Sequence, residues 1–430
     1  MKGYIGRPLD DTAGTVRKMM VNYHGGVHYN IREMMQAMPH ADFIVFEGPT
    51  RDEVLAMIEE KASRVKSEEY VSLARQWLDS TGNVKGMMAL NEALVLRKNL
   101  ANIMQKQTSQ DDIEYRDFLD VLALSRYMLN MWQRQIVELS AEQIRDEFPG
   151  RTELVKVSYP LSYFARDSVI ALYDEDERVI IPSNQGLSDD LMSQIDYHLD
   201  DMADNPVWER NGYRRGENLN IRKFVGGNIV ANRRYLFLGV NAFTESLVFD
   251  GEDFCKEEIE RIRGDAEIIN LRGSPGFTYH SDVVVMPTER NKVYVSDPIE
   301  TEKRLNAHKI KTGMDRKLVE PFVGEVHNIK RQIKSRGLNA RSAPFWITTH
   351  KGYPFMLTYC NNIQESGVVY SPSYSHGENK RIREMGGVLD DWFSEMMSRD
   401  KEVVPIEGFD VPSAWNTGGI RCVNNVVWRE

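Results

Sequence analysis

Residues 415–430 read "WNTGGIRCVNNVVWRE". Gly418 and Gly419 stand just before Cys422, and "CVNNVVW" has the composition of a short strand. Read alone, the thiol is a small hydrophobe in a last piece of core, and the glycines form a β-bulge in front of it. The glycines also admit a second reading, because residues without a Cβ let backbone approach a partner closely. In that reading something has to reach the sulfur, and the strand must meet polar residues brought from elsewhere in the chain.

The rest of the composition narrows the choice. The chain has 430 residues, 41% of them hydrophobic and 27% charged, which is ample for a large core and compatible with a single closed α/β architecture. No apolar run is long enough to span a bilayer and the start lacks a signal-peptide pattern, so the expectation is a cytoplasmic protein without a membrane partner. The three cysteines, Cys255, Cys360 and Cys422, are far apart and odd in number. They suggest reduced thiols rather than a disulfide framework or a zinc site. A formal net charge of -10 disfavours nucleic acid and mildly favours a small cationic ligand.

Hydrophobic periodicity divides the chain unevenly. "TVRKMMVNY" and "DFIVFEGP" read as strands, with "HGG" as a turn between them. From Arg51 to Phe148 the spacing becomes helical, clearest in "YRDFLDVLALSRYMLNMWQRQIVEL". The last helix of this block starts at Ser140, with Gln143 at capping-box spacing, and stops at "FPG". Beyond Glu153, β-branched runs such as "SVIALYD", "RVIIP", "NIVANRRYLFLGV", "DVVVMP", "KVYVSDP", "PFMLTY" and "EVVPI" alternate with helical or loop segments. The pattern is α/β or α+β in one domain, residues 1–430, with the helical block 51–148 inserted into it. His24 and His28 are four apart, but the strand-turn assignment puts them on no common helical face, so a structural or surface role is expected rather than a metal site.

Four stretches gather polar residues at strand ends: "YFARDSVIALY", "FVGGNIV", "FTYHSDVVVMP" and "TGGIRCVNN". Each alone reads as an ion pair, a strand edge or a turn. Their order is more specific. A carboxylate, then Gly-Gly-Asn, then His-x-Asp, then Gly-Gly-x-x-Cys resembles the guanidino-group-modifying enzymes of the pentein superfamily, which include arginine, agmatine and peptidylarginine deiminases and amidinotransferases. Arg166 and Asp167 resemble that family's Arg-Asp motif, His280 and Asp282 its His-x-Asp, and Gly418 through Cys422 its nucleophile loop. "TYCNNI" resembles a Tyr-x-Asn stretch that would place Asn361 near the site. The resemblance implies a pentein-type α/β propeller of five pseudosymmetric strand-helix units with a helical insertion.

A guanidinium is planar, cationic and resonance-stabilised, so its carbon is a poor electrophile. Paired carboxylates, here Asp167 and Asp282, would grip its N–H edges and fix that carbon over a nucleophile. The resemblance makes Cys422 that nucleophile and His280 the acid and base; free cysteine has a pKa of about 8.5 and needs a nearby cation to ionise. Arg166, Asn228, Asn361, Gly418 and Gly419 would line the substrate, with the slim glycines leaving room above the sulfur. No metal or other cofactor is required.

The sequence departs from the family at three places. Val225 stands where most arginine and agmatine deiminases carry an acid, and Asn228 would make part of that contact. Phe243 and Leu161 stand where free-arginine deiminases hold the α-carboxylate, and neither can bind one. An arginine-like compound without that carboxylate, or a peptidyl-arginine, fits better than free arginine. Two alternatives stay open: an amidinotransferase that passes the amidino group to an amine, and a non-catalytic pentein used for binding, with the helical block as a partner or homo-oligomer surface.

Overall fold

The computed structural model describes residues 4–23, 27–64, 140–159, 161, 165–183, 199–219, 221, 226–239, 252–271, 280–313, 315–350, 353–376, 379–408 and 420–430. Most of the helical block, Val225, Phe243, Gly418 and Gly419 fall outside these residues, as does the side chain of Asp167. Of the block itself, the flanking helices Arg51–Arg64 and Ala141–Glu147 are described. At the start of the second, the Ser140 backbone N–H donates to Gln143 Oε1 at 2.9 Å, as in a capping box, and after its end Gly150, at φ +79°, sits in a turn closed by the Arg151 N–H on the Phe148 carbonyl at 3.3 Å.

The fold is mixed α/β and repeats one unit. The chain begins with β1 (Arg7–Pro8), β2 (Val16–Tyr23), β3 (Asp42–Glu47) and β4 (Thr152–Lys156). Strands β5 (Val169–Asp174) and β6 (Glu177–Pro182) form an antiparallel hairpin, and a helical crossover returns the chain to β7 (Tyr213–Arg215), parallel to β6. Antiparallel β8 (Ile229–Ala231) and β9 (Tyr235–Gly239) then lead through helix Glu252–Arg263 to parallel β10 (Glu267–Leu271). The scheme recurs in β11 (Val285–Pro287), β12 (Lys292–Ser296) and β13 (Asn339–Ala343). After the hairpin of β14 (Phe345–His350) and β15 (Tyr353–Thr358), it recurs again in β16 (Ile363–Glu365), β17 (Val368–Pro372) and β18 (Glu402–Ile406). The fifth copy joins distant parts of the chain: β19 (Asn424–Arg429) pairs antiparallel with β2, which crosses through helix His28–Ala37 to parallel β3.

Side-chain chemistry explains the elements. The crossover helix Pro298–Ala307 starts where Asp297 Oδ1 accepts from the backbone N–H of Ile299 and Glu300, with Pro298 at the first helical position. Helix Lys380–Met397 is capped likewise by Asn379. The apolar faces pack into four buried clusters among the described residues; the largest brings Trp346, Phe355, Tyr359, Tyr374 and Phe393 together. His28 is buried at the start of its helix, its Nδ1 3.0 Å from Tyr23 Oη, a structural contact. No helix among the described residues is long and apolar enough to cross a membrane.

Candidate functional site

Each of the five repeats enters its first strand through a tight turn: residues 165–167, 226–228, 281–284, 360–362 and 420–423. These turns are where the sequence motifs lie. The turn at 165–167 touches those at 226–228 and 420–423, and the turn at 281–284 touches that at 226–228. Packing is close: a Cβ at Gly226 would lie 2.0 Å from the Arg166 carbonyl oxygen, so only glycine fits there.

Two of these turns were expected to be strand. "DVVVMP" was read as a continuous β run, but Ser281–Val284 is a helical turn and the strand starts at Val285. The cause is tertiary: the Val283 carbonyl accepts from Ser296 Oγ at 2.7 Å and Thr358 Oγ1 at 3.2 Å, so it needs no strand partner. "CVNNVVW" likewise begins in a helical turn, Ile420–Val423, and the strand starts at Asn424. Cys422 is therefore a turn residue, 3% exposed.

The turns bring three of the expected groups together. A ring nitrogen of His280, a carboxylate oxygen of Asp282 and the sulfur of Cys422 all lie within 4.8 Å of one another. Asn361 braces the turn of Cys422: its Nδ2 donates to Cys422 Sγ at 3.3 Å, and its Oδ1 accepts the Arg421 backbone N–H at 2.8 Å. The brace is anchored in core by the preceding Tyr359, whose ring sits 5.2 Å from Phe393 and 5.5 Å from Tyr374. Asn228 is buried in the adjoining turn. Leu161 belongs to a buried apolar cluster with Met20 and Ala165.

Arg166 is buried and turned onto protein groups. Its Nε lies 3.1 Å from the Gly226 carbonyl and 3.4 Å from Asp282 Oδ2, and Nη2 donates to the Ile229 carbonyl at 2.8 Å. Two further charged residues join these groups, Asp11 from outside every motif and Arg421 from within the stretch Gly418 through Cys422 but given no role there, with Arg421 Nη2 2.6 Å from Asp11 Oδ1 and Arg166 Nη2 3.7 Å from Asp11 Oδ2. Burial alone would raise the Asp11 carboxyl, but the Arg421 and Arg166 guanidiniums outweigh it and hold it below the usual carboxylate range. For Arg421 the balance runs the same way: burial opposes its charge, and Asp11 and Asp282 restore it. The only sequence signal for either is position, Arg421 being next to Cys422.

The other described cysteine is unlike Cys422. Cys360 is fully buried and burial pushes its thiol up to about 12, which makes it inert at neutral pH. His280, Asp282 and Cys422 are also the described side chains that could together ligate a divalent metal.

No protein-family model matches the chain, and no curated protein matches its sequence. Solved structures do match. An agmatine deiminase from C. jejuni superposes with a TM-score of 0.55 at 10% identity, over 99% of this chain and 97% of that one. A protein provisionally named as an arginine deiminase, from Porphyromonas gingivalis, gives 0.51 at 12% over 97% and 96%. The chain shares the fold of these proteins. One provisionally named as a peptidyl-arginine deiminase shares it, at 0.53 and 11% over 99% of both chains. In this chain the shared fold sets a cysteine, a histidine and an aspartate side by side.

Proposed function

We propose that the protein is a cysteine-dependent hydrolase of a guanidino group, with five repeats arranged as a propeller around the site. The observation that carries the reading is the approach of His280, Asp282 and Cys422 to within 4.8 Å, from turns 140 residues apart in sequence, counted as 422 minus 282. A buried structural thiol has no need of an imidazole, a carboxylate and an amide N–H around it. The deiminase fold supports the substrate class.

In this reading Asp282 accepts N–H bonds from the planar cation, and Arg166 holds its carboxylate in place. The side chain of Asp167 serves as the second carboxylate, and Asn228 lies at the adjoining turn. Cys422 Sγ adds to the guanidino carbon to give a tetrahedral adduct. His280 protonates one nitrogen, the C–N bond breaks, and ammonia leaves an amidino-thioether on the enzyme. His280 then takes a proton from water as the water oxygen attacks the same carbon; the C–S bond breaks and a ureido product departs. The net change is one water consumed and one ammonia released, with no redox step. By its resemblance to free-arginine deiminases Leu161 takes the position of a carboxylate partner, and a buried leucine supplies no such contact, which favours a compound lacking that group or a peptidyl-arginine.

The test is intact-protein mass spectrometry after exposure to a chloroacetamidine probe, with ammonia release measured over a panel of guanidino compounds in the presence of a chelator. One adduct on the Cys422 peptide, abolished by His280→Ala, and chelator-insensitive ammonia release without added amine are expected. A probe that ignores Cys422, or that labels it equally in His280→Ala, refutes the reading.

A further inference from the structure

We propose that Asp11 is a positioning residue of this site: its carboxylate bridges Arg166 and Arg421, and thereby keeps the floor beneath the nucleophile from becoming cationic. The inference rests on the functional reading of Cys422. Asp11 lies between β1 and β2, outside every motif of the sequence. Both its oxygens are engaged, Oδ1 by Arg421 at 2.6 Å and Oδ2 by Arg166 at 3.7 Å and by the Ala231 backbone N–H at 2.9 Å. Its own N–H donates to the Ala231 carbonyl at 2.8 Å. The residue is thus fixed to β8 and cannot follow either arginine.

The charge balance explains why such a group is needed. Arg166 and Arg421 are both buried beside the catalytic trio, and Arg429, whose guanidinium bonds the Ala13 and Gln364 carbonyls, adds a third cation near Asp11. A site for a cationic guanidinium cannot leave such charges uncompensated. Asp282 pairs with Arg166, and Asp11 answers Arg421. Without Asp11, Asp282 and Cys422 remain among the described groups that favour the charge of Arg421. Arg421 would then compete with substrate for the carboxylate and hold the sulfur in an ion pair.

The experiment compares the full-length protein with Asp11→Asn and Asp11→Glu. Iodoacetamide alkylation of the Cys422 peptide is followed across pH, and protection by benzoylarginine amide is measured at fixed pH. Asp11→Asn is expected to move the midpoint of the alkylation profile down by about one pH unit, the usual effect of one uncompensated neighbouring charge. It is also expected to require about tenfold more benzoylarginine amide for protection. Asp11→Glu restores both. A structural role alone would lower the melting temperature of Asp11→Asn and leave the midpoint where it was, which overturns the proposal. If Asp11→Asn does not fold, Arg421→Gln reads the same coupling in reverse, and a midpoint that fails to rise overturns it equally. The alkylation profile needs no substrate, so failure of guanidino compounds to protect the unmodified protein counts against the hydrolase reading, whereas the profile judges Asp11.

Discussion

Replacing Asn361 with alanine removes two bonds at once, and their consequences can be separated. The first is the 3.3 Å contact from Nδ2 to Cys422 Sγ. A hydrogen bond to a charged group contributes about 1.5–3 kcal/mol, and since one pKa unit corresponds to about 1.4 kcal/mol, the Cys422 thiol should ionise about one to two units higher. At neutral pH that is roughly a ten- to hundredfold slower reaction with iodoacetamide. The second loss is the acceptor for the Arg421 backbone N–H, now held at 2.8 Å. A buried donor left without its partner costs about 1–3 kcal/mol, which urea denaturation would report. Asn361→Asp keeps an acceptor for that N–H but removes the donor to sulfur, so it should shift the alkylation profile upward at least as far. Alkylation profiles that stay in place, or move downward, in both variants would show that Asn361 does not support the thiolate and would refute the argument from geometry.

Two further outcomes follow from the same turns. Gly226→Ala sets a Cβ 2.0 Å from a backbone oxygen of Arg166, where no side chain can yield. A stability loss of about 3 kcal/mol in urea, together with loss of the Cys422 adduct, is expected; a variant as stable as the parent would contradict the packing of the turns. Cys360 gives a pH signature: its thiol stays protonated in the folded state up to about 12, against an ordinary 9.0. It therefore leaves stability unchanged below pH 9, and stability falls as the unfolded chain ionises between the two values. The upper bound is about 4 kcal/mol. Cys360→Ala should flatten that part of the alkaline denaturation curve, and an unchanged slope would count against the burial effect.

Much of the architecture was legible because β-branched runs mark strands wherever a face is buried. "SVIALYD", "RVIIP" and "KVYVSDP" correspond to β5, β6 and β12. "NIVANRRYLFLGV" looked like one run, yet it is the hairpin of β8 and β9. The break is local chemistry: Asn232 Oδ1 accepts from the backbone N–H of Arg234 and Tyr235, a turn that asparagine readily makes. The starts of "DVVVMP" and "CVNNVVW" were harder, because the hydroxyls of Ser296 and Thr358 and the amide of Asn361 that shape them lie 13, 75 and 60 positions away along the chain. Periodicity within a window cannot register such partners. For the same reason the motifs pointed to His280, Asp282, Asn361 and Cys422 but gave no hint of Asp11, whose importance lies in an ion pair across 410 positions, 421 minus 11.

The pairing of β19 with β2 also governs timing. Arg17 and Glu430, at the far ends of these strands, are 413 positions apart yet joined by a 2.8 Å bond, so the sheet that seats the sulfur has a very long loop to close before it exists. In the order of synthesis the thiol follows its imidazole and carboxylate companions, His280 and Asp282. The turn that carries the sulfur leads straight into β19, so closing this sheet and assembling the trio of side chains are one event.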